Sequence, residues 1–95
     1  MTEPPYVVRF KRSVLRDLRR LDPLARERVR CAIHERLARD PRLGKRLAGA
    51  REPRSGRPLW SLRAGDYRIV YTFSDAELWI LVVRVGHRRA VYDDL

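Results

Sequence analysis

The eight residues DYRIVYTF, at positions 66–73, alternate apolar and polar side chains with a period of two, the signature of a strand buried on one face. Tyr67, Ile69, Tyr71 and Phe73 form the set that buries. Asp66, Arg68, Val70 and Thr72 therefore point the other way, and the strand presents a guanidinium on the face away from the core.

Reading outward, Leu59–Arg63 and Leu78–Val85 are β-rich runs joined to the central strand by short turns, at Ala64-Gly65 and at Ser74 to Glu77. The three strands are expected to form an antiparallel meander. By parity Trp60 and Leu62 face the core, while Leu59, Ser61 and Arg63 share the open face with Arg68. Arg63, Arg68, Arg84, Arg88 and Arg89 are expected to gather there.

Upstream, Tyr6–Phe10 reads as a first strand. From Ser13, taken as an N-cap, Val14, Leu15, Leu18 and Leu21 recur at helical spacing. Asp22 and Pro23 supply a cap and a first-turn proline for a second helix, with Val29, Ala32, Ile33 and Leu37 on its apolar side and an end near Asp40. Gly44 to Pro58 lacks periodicity and reads as a long surface connection. The expected fold is α+β, a single domain over residues 1–95: a strand, a two-helix hairpin, then a meander packed on the helices.

Basic residues number 22 against 12 acidic ones, a formal net charge of +10, and all but Lys11 and Lys45 of the 22 are arginine. Such a balance points to a polyanionic partner, nucleic acid first and an acidic protein second. Lys45 and Arg46 join Arg63, Arg84 and Arg89 as expected RNA-binding residues. The single Cys31 excludes an internal disulfide, and no cysteine-histidine spacing suggests a metal site. Met1–Pro5 is polar, and no apolar run approaches a membrane span, so a cytoplasmic protein with neither signal peptide nor membrane contact is expected.

The order of elements, with PLWSLRAGDYRIVYTF (58–73) and VGHRRAVY (85–92), resembles the RelE/ParE superfamily of toxins from type II toxin-antitoxin modules, closest to its RelE branch. The resemblance covers nearly the whole chain. It implies a RelE-like fold, a cognate antitoxin as partner, and, within the complex, operator DNA bound through the antitoxin. It also implies a ribosome-dependent endoribonuclease that cuts mRNA without metal or cofactor, by attack of the ribose 2′-hydroxyl on the adjacent phosphate, and so inhibits translation. The family's arginine after Gly-x-Tyr falls on Arg68, that of the loop after the last strand on Arg88, and its C-terminal tyrosine on Tyr92. Two lysines that the best-studied members carry before Gly-x-Tyr align with Leu59 and Ser61, neither of which acts as a base or a cation.

The chemistry asks for the same residue types. Cleavage through the 2′-oxygen builds negative charge at phosphorus, which fixed guanidiniums such as Arg68 and Arg88 stabilise. Proton transfers suit a group that titrates near neutrality, and His87 is the imidazole in this region. Tyr92 serves as a proton donor, a phosphate contact or a stacking surface. Two other functions fit the same charge: non-catalytic inhibition of DNA gyrase, as in the ParE branch, and simple binding of an acidic partner.

Overall fold

A computed structural model describes residues 5–87. The chain runs β1 (Val7–Phe10), α1 (Arg12–Arg19), α2 (Pro23–Cys31) continued by a π-helical segment Ala32–Leu37, a 3₁₀ turn Pro41–Leu43, then β2 (Lys45–Arg51), β3 (Pro58–Ala64), β4 (Tyr67–Ser74) and β5 (Trp79–His87). The strands make one sheet in the order β1-β5-β4-β3-β2. The expected α+β architecture and meander are both present. β2 to β5 pair antiparallel, and β1 joins the far edge parallel to β5.

The parity read from residues 66–73 holds. Ile69 and Tyr71 are buried with Leu62, Ile80, Val82 and Val85 against Val14, Val29, Ile33 and Leu37 from the helices, and Trp60, Tyr67 and Phe73 pack at the margin. α2 starts as its sequence dictates: the Asp22 carboxylate accepts from the Ala25 amide at 2.8 Å, and Pro23 occupies the first turn. α1 does not start at Ser13. Lys11 is its N-cap, without a side-chain hydrogen bond.

Ser13 is needed elsewhere. β1 ends with Phe10 paired to Val82, which leaves the rest of the β5 edge without a neighbouring strand. α1 covers that edge. The Lys11 amide donates to the Val82 carbonyl, Ser13 Oγ donates to the Val83 carbonyl at 3.3 Å, and the Val85 amide donates to Asp17 Oδ2 at 2.9 Å. Side chains of a helix thus complete the hydrogen bonds of a sheet edge.

Two further expectations are corrected. Residues 44–58 are not one long surface connection, since Lys45–Arg51 forms β2 on β3 and the chain then turns on a buried carboxylate. Glu52, 2% exposed, accepts from the Arg54 and Ser55 amides at 3.1 and 2.9 Å and from Lys11 Nζ at 2.7 Å. The Lys11 ammonium and these amides hold its carboxyl at about 2 despite burial. β2 escapes sequence reading because KRLAGAR has no alternation, and its pairing is interrupted between Arg46 and Arg51, where Gly49 takes φ +76°.

The second face of the sheet is not uniformly open either. Leu59, Val70 and Val83 form a small buried cluster there, flanked by Leu47, Ala50 and Leu81, because β2 supplies apolar neighbours that the loop reading lacked. Beyond this cluster, the end of the face that carries Arg63 and Arg68 presents charge.

Candidate nucleic-acid interface

Strand register decides which cations meet. Arg63 on β3 lies directly opposite Arg68 on β4, and the next row across the sheet is Lys45 on β2, Ser61 on β3, Val70 on β4 and Arg84 on β5. Residues opposite one another share a face. Arg63, Arg68, Lys45 and Arg84 therefore all project from the face away from the helices.

Arg84 owes its place to a bulge. The pairing shifts between Val70–Arg84 and Tyr71–Val82, so that Val83 is an extra residue in β5. Strict alternation from the buried Val82 would turn Arg84 into the core. The extra residue sends it to the Arg68 face instead, where its Nε also donates to Asp17 Oδ2 at 3.2 Å around the sheet edge.

The same bulge moves His87 away. After Val83, Val85 and His87 share the core-side face, and His87 pairs with Tyr67, ring edge to ring face at 6.0 Å. It borders a separate hollow with Arg20 and Asp17. The imidazole thus stands on the face opposite Arg68, whose own partner in β5 is Gly86. Arg46 pairs with Trp60 and also falls on the helix side. Arg88, Arg89 and Tyr92 lie outside the described residues.

Arg63, Arg68, Lys45 and Ser61 line a cleft of about 250 Å³. Arg36, from the π-helical segment, reaches it too, and sequence reading missed this residue. Its nearest signal was its place beside Leu37 on the last helical turn, one element away from Gly44. Gly44 admits no side chain: a Cβ there would strike the Tyr71 hydroxyl and the Ser61 carbonyl. That close approach seats the start of β2 against β3. The Tyr71 hydroxyl beneath donates to the Pro41 carbonyl at 2.5 Å, and burial pushes its phenol well above the usual value, so it stays protonated. Among the described residues a larger hollow of about 660 Å³ lies by Phe10 and Leu81, but its Lys11 and Glu52 bind each other.

Like charges directly opposite on neighbouring strands repel, and an anion held between them removes that cost. Other arginines are used differently. Arg42 lies over the Phe73 ring at 5.4 Å and pairs with Asp75, and Arg57 lies over Trp79 at 5.1 Å. Among the described residues no cluster of ligating side chains can hold a metal ion, and no helix is long and apolar enough to cross a membrane. The cleft can bind a phosphodiester and stabilise charge that grows on it.

Residues 8–92 match the family profile described as ParE toxin of type II toxin-antitoxin system, parDE. Toxin RelG of Mycobacterium tuberculosis is 37% identical over 93 residues, covering 93% of this chain and 97% of its own length, and Toxin RelE of the same organism is 34% identical over 93% and 87%. In structure the chain is similar to the RelBE2 toxin-antitoxin complex of M. tuberculosis, with a TM-score of 0.75, 34% identity and coverage of 92% and 95%. It is also similar to the isolated E. coli RelE toxin, with a TM-score of 0.64, 28% identity and coverage of 94% and 93%. The fold, the basic end of the sheet and these relatives agree: the chain belongs to the RelE/ParE superfamily of toxins from type II toxin-antitoxin modules.

Proposed function

We propose that this toxin is an endoribonuclease that cleaves ribosome-bound mRNA and so stops translation. The observation that carries this reading is the pair Arg63 and Arg68, directly opposite on β3 and β4 at one end of a basic cleft. A phosphodiester between them meets two guanidiniums fixed by sheet geometry. Their charge favours the five-coordinate phosphorus formed when the 2′-oxygen attacks. The products are a 2′,3′-cyclic phosphate and a 5′-hydroxyl. Arg88 and Tyr92 are assigned to the same centre from the family motif alone.

A cognate antitoxin is the expected protein partner, as in the complexes of its structural relatives. A domain of net charge +10 suits a partly acidic segment laid along its surface, and binding of operator DNA is assigned to that complex through the antitoxin. Gyrase inhibition remains the second reading for one reason: Leu59 and Ser61 replace the lysines of the best-studied ribonucleases, and both are 3% exposed, so neither offers a cation.

Mapping of transcript 5′ ends after brief expression in cells separates the two. Cuts within translated frames, lost when ribosomes are cleared from the message, are the expected result. Intact messages with a DNA-damage response would reject the ribonuclease and select gyrase.

A further inference from the structure

Among the described residues four cationic side chains line the cleft, and they are chemically unequal. Arg36, Arg63 and Arg68 keep their protons under all ordinary conditions, whereas an ammonium can release and regain one. Among the described residues lining the cleft, Lys45 is the one cation that is not a guanidinium. His87, the other candidate by residue type, faces the opposite side of the sheet beside Tyr67.

Placement favours Lys45 as well. It is the first residue of β2 and pairs with Ser61, whose small, buried side chain leaves room beside it. Gly44, pressed against the Ser61 carbonyl and the Tyr71 hydroxyl, fixes where β2 begins and so where the lysine is rooted. One residue further along β3 from Leu62 stands Arg63, with Arg68 across from it. The charged groups facing Lys45 come from three elements: Arg36 from the helical segment, Arg63 from β3 and Arg68 from β4.

We propose that Lys45 is the proton acceptor of this site, an inference that rests on the ribonuclease reading. As the free amine it takes the 2′-hydroxyl proton while the 2′-oxygen bonds to phosphorus and the bond from phosphorus to the 5′-oxygen breaks. The departing 5′-oxygen takes a proton from water, and the hydroxide so formed removes the proton held by Lys45. Atoms and charge balance over the cycle, and a lysine on β2 does a task for which β3 carries only Leu59 and Ser61.

The test is single-turnover cleavage of ribosome-bound mRNA from about pH 6 to 9, a range in which a general base reveals itself by a rise in rate. Lys45→Arg keeps the positive charge but cannot release its proton. It is expected to melt and bind ribosomes like wild type, to lose about 10²-fold or more in rate, and to lose the rise with pH. Lys45→Ala is expected to regain rate with added methylamine. A Lys45→Arg protein with wild-type rate and pH profile would overturn the assignment while leaving the ribonuclease reading intact. Absence of cleavage by the wild type would overturn both.

Discussion

Arg68 stands directly opposite Arg63 on the neighbouring strand, on the sheet face away from the helices. Neither side chain belongs to the helix-side core, so removing one should leave the fold in place and damage function. Arg68→Ala is expected to stay folded and to cleave about 10²-fold more slowly, as is typical when one donor to a developing charge is lost. A variant that still arrests growth at low expression would contradict the assignment. His87 gives the opposite expectation, because the bulge at Val83 leaves its ring beside Tyr67 on the helix side. His87→Gln should cleave close to the wild-type rate with an unchanged pH profile. A large loss of rate would show that the imidazole reaches the cleft after all.

Two carboxylates hold elements in place. Asp17 is 8% exposed and accepts from the Val85 amide and from Arg84 along the part of β5 that β1 does not reach. Asp17→Ala leaves a buried amide without its acceptor, a loss of about 1–3 kcal/mol, and Asp17→Asn, which keeps a side-chain oxygen, should lose less. Equilibrium denaturation in urea measures both, and equal losses would show that the acceptor oxygen does not matter. Glu52 fixes the turn between β2 and β3 through Lys11 and two amides. Its carboxyl titrates at about 2 in the folded chain, below the ordinary 4.5, so its contribution is complete above pH 4.5 and is lost as pH falls toward 2. Glu52→Gln should be less stable than wild type at neutral pH, and the gap should narrow on acidification. A gap that stays constant down to pH 2 would exclude the charged form as the stabilising species.

Across the whole molecule the net charge of +10 is unevenly employed. Arg42 and Arg57 lie over aromatic rings, whereas Lys45, Arg63 and Arg68 converge on one cleft. Binding of single-stranded RNA should weaken with salt, and each phosphate contact removed should reduce the log-log slope by about 0.7. Arg63→Ala and Arg68→Ala are expected to show that reduction, and Arg42→Ala is not. Fluorescence anisotropy across a salt series reads all three. Equal slopes for every variant would mean that the charge acts diffusely and the cleft is no special anion site.

The sequence by itself determined what depends on neighbours along the chain. The alternation of residues 66–73 set which side chains of β4 face the helices and which, with Arg68, face the other way, and Asp22 with Pro23 set the start of α2. Charge named the class of partner, and the motifs named the family. Tertiary structure alone decided what depends on partners remote in sequence. KRLAGAR becomes a strand only because β3 offers it hydrogen bonds, and Glu52 becomes a buried anchor only because Lys11, far away in the chain, meets it. The extra residue at Val83 appears only when β5 is paired with β4, yet it puts Arg84 on the face of Arg68 and His87 on the other. Strand parity is a local property, but register belongs to the pair, and one residue of slip exchanges the two faces of a sheet.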